Sequence, residues 1–170
     1  MTAAVLLDTS FLISLVDGKR PNHSIAAQYY RMMLEQQSPM FFSAIVAAEF
    51  AIKQPITDLP LKNFRCIPFN IPHSTESARL WNLLDRDSSD NRAVVRDDIK
   101  LMAQAAHESI PFILTEDAST LYKYCERLRD AGALRVRAIK LVDGFDSCAL
   151  REDGQRGLSL DQSNAGTVEQ

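Results

Sequence analysis

Two short apolar runs in this chain end in the same way. Val5-Leu6-Leu7 is followed by Asp8-Thr9-Ser10, and Phe112-Ile113-Leu114 by Thr115-Glu116-Asp117. Each run is short, uniformly apolar and bounded by polar residues, so each reads as a strand buried on both faces. The hydroxyls and carboxylates behind them suit a helix start, where side-chain oxygens accept from free amides. Strands that run directly into helices build a parallel sheet, and the ligand crevice of such a sheet lies at the carboxyl ends of its strands.

The rest of the chain fits that plan. Residues 3–8 form the first strand, and Thr9 or Ser10 caps a short helix through Phe11, Leu12 and Leu15. After a turn, Asn22 caps a helix whose Ile25, Tyr29, Met32, Met33 and Gln36 recur at helical spacing. Met40-Phe41-Phe42 reads as a strand and 44–53 as a helix capped by Ser43. Residues 54–64 carry two prolines and predict a connecting loop or a fragment of helix. The extended stretch 65–69 belongs at a sheet edge, because Pro68 has no amide to donate. A helix over 73–84 would turn Ala78, Trp81 and Leu84 inward, and the polar segment 85–96 predicts a flexible loop or a frayed helix end. Residues 98–109 and 117–130 are helical, Gly132 suits the second stop, and 138–142 is the last strand. The alternation predicts an α/β sandwich with a central, mainly parallel sheet. One domain over residues 1–150 is expected, followed by a polar tail, 151–170, that buries too little to order itself.

Composition narrows the function. No apolar stretch approaches the roughly 18 residues of a membrane span, and the start lacks signal-peptide character, so a cytoplasmic protein is expected. Cys66, Cys125 and Cys148 are widely spaced and fit a reduced compartment. The net charge of −3 rules out a global basic field of the kind a dedicated nucleic-acid binder carries. An acidic site loaded with divalent cations escapes that argument, because the ion brings its own positive charge.

Three further acids interrupt apolar patterns. On a helix, Glu49 shares its face with Ile45, Val46 and Ile52; the alternative is a surface pair with Lys53 at i+4. Asp98 shares its face with Leu101, Met102 and Ala105; alternatively it decorates a helix amino terminus. Asp117 repeats the strand-end arrangement of Asp8, or is an N-cap. Together, two strand-end acids and two on helix faces would repel one another, and hard oxygen donors in that number suit Mg²⁺ or Mn²⁺. His23, His73 and His107 show no ligand spacing and read as surface or cap residues. Arg86, Arg92, Arg96 and Lys100 flank the Asp98 segment, either as a solvated face or as guides for a phosphate backbone.

Val5–Phe11, Glu49, the segment Asp98-Ile99-Lys100-Leu101-Met102-Ala103-Gln104-Ala105 and Leu114-Thr115-Glu116-Asp117 together resemble the PIN-domain ribonucleases. The small toxin nucleases of toxin–antitoxin pairs (the VapC type) are the most similar. The resemblance covers roughly residues 3–143. It implies that Asp8, Glu49, Asp98 and Asp117 hold Mg²⁺ or Mn²⁺, while Ser10, Thr9 and Thr115 orient ligands or water. It further implies endoribonuclease action on an RNA substrate with 5′-phosphate and 3′-hydroxyl ends, a homodimer, and an antitoxin protein as possible partner. The chain is longer than the compact toxins, and 54–64 and the tail have no obvious counterpart there. Two other classes fit less well: an RNA- or partner-binding module of the same fold without turnover, and a phosphotransfer or phosphatase domain. The second would want another aspartate where Ser10 stands, or an acidic pair beside Asp8 with Lys140 as its late lysine.

Overall fold

A computed structural model describes residues 2–151. Its centre is the pair of apolar runs, which are adjacent parallel strands. β1 (Val5–Leu7) and β4 (Phe112–Thr115) align with Leu7 opposite Leu114, and the Asp8 amide donates to the Leu114 carbonyl at 3.1 Å. Asp8 and Thr115 therefore leave the sheet at one level. β2 (Met40–Ser43) and β3 (Arg65–Ile67) extend the sheet beyond β1, and β5 (Arg137–Lys140) extends it beyond β4. The order is β3-β2-β1-β4-β5, and every pairing is parallel. Connections from β1 run one way and those arriving at β4 the other, so the β1–β4 junction is the topological switch point. Val5, Leu6, Leu7, Ile113 and Leu114 are fully buried. Each contributes about 1.5–3 kcal/mol, which fixes the level of the strand ends.

Among the described residues six α-helices flank the sheet: α1 (Thr9–Val16), α2 (His23–Glu35), α3 (Ala44–Lys53), α4 (Ile71–Leu83), α5 (Arg92–His107) and α6 (Leu121–Asp130). Helix α1 contacts both α2 and α3, and α5 contacts both α4 and α6. Ser43 caps α3 by accepting from the Ile45 amide, and Asn91 caps α5 by accepting from Ala93 at 2.9 Å. Residues 54–64 form two single 3-10 turns, and β3 lies at the sheet edge, as Pro68 requires.

The structure corrects three expectations. The helix carrying Asp98 begins at Arg92, so only the segment between α4 and Asn91 is a loop. That loop is tied down. Arg127 grips Asp87 through two hydrogen bonds of 2.8 and 2.9 Å and donates to the Asp85 carbonyl at 2.8 Å, while Lys123 pairs with Asp87 and Asp90. Helix α4 turns His73 and Leu80 into the core; Ala78 is exposed, and Trp81 and Leu84 are half-buried. Packing against α5 rather than the sheet selects that different face. The last strand ends at Lys140, and Leu141–Asp143 is a 3-10 turn. The polar tail expected over 151–170 lies, apart from Arg151, outside the described residues.

Candidate active site

The carboxylate of Asp8 sits at the amino end of α1 without capping it. Its Oδ2 instead accepts from Ser10 Oγ at 2.7 Å and from Thr115 Oγ1 at 2.8 Å. Ser10 Oγ in turn accepts from the Glu116 amide at 2.8 Å, and Thr115 Oγ1 from the Asp117 amide at 2.9 Å. The two strand ends are thus stitched through hydroxyls, with Asp8 as the common acceptor. Burial raises the Asp8 pKa; the Ser10 and Thr115 hydroxyls and the Thr9 amide oppose it, and the Asp117 charge adds to the rise.

Glu49 is half-buried on α3 and accepts from Thr9 Oγ1, forty residues away in sequence. No Glu49–Lys53 ion pair forms among the described residues, so the surface-pair alternative does not hold. Asp98 lies beyond the first turn of α5 and is 9% exposed, which removes the helix-terminus alternative. Its Oδ2 is buried with no hydrogen-bond partner among the described residues. Burial is the largest cause of a pKa pushed up to about 8; Thr120 opposes it, and the charges of Asp8, Asp117 and Glu49 reinforce it. A buried carboxylate with one unpartnered oxygen is costly, and such groups are held neutral or await a cation.

Helix α6 begins at Leu121 with Thr120 as its N-cap, so Asp117 is not the cap its position suggested. Its carboxylate holds the turn before the helix, and it also takes part in the cluster. Its Oδ1 accepts from Ser119 N, Ser119 Oγ and Thr120 N at 2.7–3.0 Å; its Oδ2 accepts from Thr120 Oγ1 at 2.5 Å. Burial works to raise its pKa, but the hydrogen bonds from Thr120, Ser119 and the Leu121 amide outweigh it and hold the group below its ordinary range. Thr120, placed between Asp117 and Asp98, was missed in the sequence; the signal was a hydroxyl three residues after the strand-end aspartate. Glu116 is a fifth acid nearby, but Ser14 and Arg20 occupy it, at 2.5 and 2.8 Å.

Among the four predicted acids, the charges of Asp8, Asp117 and Glu49 all act on Asp98. The four do not yet form a closed ligand set: among the described residues, the trio whose ligand atoms lie within 4.8 Å of one another is His73, His107 and Glu108. The hydrogen bonds of that trio fix another role. His73 Nδ1 accepts from the Asn70 amide at 3.1 Å, so Nε2 carries the proton and donates to Glu108 Oε1 at 2.7 Å. A metal on Nε2 would push that proton to Nδ1, against the amide donor. His73 ties the start of α4 to the end of α5, a cap as expected, although buried rather than on the surface. Lys140 pairs with Asp143 at 3.3 Å and lies over the Tyr122 ring, which leaves the phosphotransfer alternative without its lysine at Asp8.

The family model of the PIN domain matches residues 5–127. The chain belongs to the PIN-domain family. Solved structures of similar fold include VapBC2 from Rickettsia felis bound to a DNA fragment from its promoter, at TM-score 0.56 and 13% identity over 79% of this chain and 98% of that one. VapC20 of Mycobacterium tuberculosis, described as a Sarcin-Ricin loop cleaving toxin, aligns at TM-score 0.52 and 16% identity over 79% and 99%. DNA-bound VapBC from Salmonella typhimurium aligns at 0.52 and 14% over 82% and 98%. At these identities the likeness is one of fold. No curated protein matches the sequence. Among the described residues of this PIN protein, no helix is long and apolar enough to cross a membrane.

Proposed function

We propose that this PIN domain is a metal-dependent endoribonuclease working through Asp8, Glu49, Asp98 and Asp117. The observation that carries the reading is Asp98, a buried carboxylate with an orphaned oxygen, set among three other acids. The donors are all hard oxygens, which fit Mg²⁺ or Mn²⁺. Such an ion, held by the four carboxylates, would supply an activated water and charge neutralisation at the scissile phosphate. Ser10 and Thr115 fix the Asp8 carboxylate through Oδ2, and Thr9 fixes Glu49. Thr120 holds Asp117 so that its charge faces Asp98. In the reaction, water oxygen bonds to phosphorus and the P–O3′ bond breaks. The 3′ oxygen leaves with a proton, and the products carry 5′-phosphate and 3′-hydroxyl ends.

The VapBC complexes among the similar folds support a toxin role with an antitoxin partner, and family resemblance supports a homodimer in the cytoplasm. The test is cleavage of RNA by the full chain in Mg²⁺ or Mn²⁺. Cutting by the parent is expected, with loss in Asp8→Asn and Asp98→Asn and 5′-phosphate at the new ends. RNA left whole by the parent, or cut equally well by both variants, would overturn the reading. Binding without cutting would leave the PIN fold as a binding module.

A further inference from the structure

The face of α4 that packing leaves outside the core forms a groove with α5, with a cavity of about 340 Å³. Phe69, Trp81 and Asn82 line it from one side, and Arg92, Arg96 and Lys100 from the other. No carboxylate lines it, although the chain as a whole is acidic. The Arg92 guanidinium lies 5.7 Å from the centre of the Trp81 ring. Arg96 is exposed and has no ion-pair partner among the described residues. Lys100 has only a half-buried i,i+3 pair with Asp97, at 2.7 Å, which a stronger anion exchanges. Arg96 and Lys100 stand two residues before and after Asp98. Asp98 turns toward the carboxylates and they turn toward α4, on opposite sides of a helix ~10–12 Å across.

We propose that this groove binds a single-stranded RNA segment that flanks the bond to be cut. Trp81 stacks a base, and Arg92, Arg96 and Lys100 take the neighbouring phosphates. A basic groove with an aromatic wall is the chemistry of single-strand binding, because an unstacked base offers a face to the ring and the backbone tracks the cations. Duplex bases are stacked on one another and offer no such face. The inference rests on the nuclease reading for the identity of the strand as substrate.

Trp81 is the chain's only tryptophan, so its emission reports the groove directly. The full-length protein is titrated with a short oligouridine in chelator, which separates binding from any metal-dependent cleavage. Saturable quenching of Trp81 is expected. Arg92→Ala/Arg96→Ala keeps the fluorophore and should weaken binding by about tenfold or more, and lower the salt slope by about 1.4, at roughly 0.7 per phosphate contact. With fluorescein-labelled oligouridine, Trp81→Ala should weaken binding by about 5- to 150-fold. Asp98→Asn should bind at least as well as the parent. Unchanged Trp81 emission at saturation overturns the proposal. So do groove variants that bind like the parent, a parent that binds no oligouridine, or quenching by an oligoglutamate peptide but not by RNA. Cleavage in Mn²⁺ is scored separately on the same proteins: groove binding without cutting sinks the nuclease reading alone, and cutting without groove binding sinks this proposal alone.

Discussion

Asp98→Asn should make the metal-free protein more stable, by an amount that grows with pH. The folded pKa of about 8 stands roughly four units above the ordinary 3.8. A raised carboxylate contributes stability below its unfolded pKa and loses it as pH climbs through the folded value. The contribution of Asp98 to the parent's stability should therefore decline between about pH 4 and pH 8. At 1.36 kcal/mol per unit the whole span is about 5–6 kcal/mol, of which about 4 has been lost by pH 7. Asparagine does not titrate, but it still buries a polar oxygen, so about 1–3 kcal/mol of that should be recovered at pH 7. For a chain of this size the gain corresponds to about 2–10 °C in Tm. Calorimetry of both proteins in chelator at pH 5, 7 and 8.5 reads it, with the smallest difference at pH 5 and the largest at 8.5. Added Mn²⁺ should narrow the gap: saturation at a hundred times Kd stabilises the parent by about 2.7 kcal/mol and leaves the variant unmoved. A Tm difference independent of pH, or a variant less stable throughout, would refute the raised pKa of Asp98.

Three more outcomes follow from named contacts. Ser10→Ala removes a donor to Asp8 and strands the Glu116 amide, so urea denaturation should show a loss of about 1–3 kcal/mol. His73→Ala unties α4 from α5 and should cost about 2–4 kcal/mol in the same assay, whereas zinc should leave the Tm of Asp98→Asn unchanged. Arg127→Ala should speed amide exchange over residues 85–90 while the sheet amides keep their protection. Because Arg127 and Lys123 hold the Asp87 carboxyl down to about 2, the parent's loop should stay protected at neutral pH. It should open only as pH falls from about 4 through that value.

The sheet was legible because its strands obey the simplest rule, continuous apolar runs with polar ends, and the sites at β1 and β4 came with it. Glu49 and Asp98 stood out by helical spacing: a carboxylate on an apolar face is expensive, and the Glu49 charge acts on Asp98. Thr9 as the partner of Glu49 was not legible, since the two lie on separate helices joined only through tertiary packing. The loop before α5 was misjudged for a similar reason. Its own residues are polar and suggest mobility, but the cations that hold it belong to α6.

Helix α4 is where periodicity failed, and the failure has a physical origin. Ala78, Trp81 and Leu84 share a face at helical spacing, and hydrophobicity alone would bury them. The core instead takes His73 and Leu80, because the hydrogen bonds of His73 with Asn70 and Glu108 fix the helix's rotation about its own axis. A fully buried imidazole with both nitrogens occupied outweighs the burial of one more indole face, since breaking either bond would strand a polar group. That rotation leaves Trp81 at the rim, beside Arg92. Sequences agree with their folds at most positions and depart from them where something other than folding selects the residue. A half-exposed tryptophan facing three cations across a groove without carboxylates is such a departure, and it lies on the reverse side of the helix that carries Asp98.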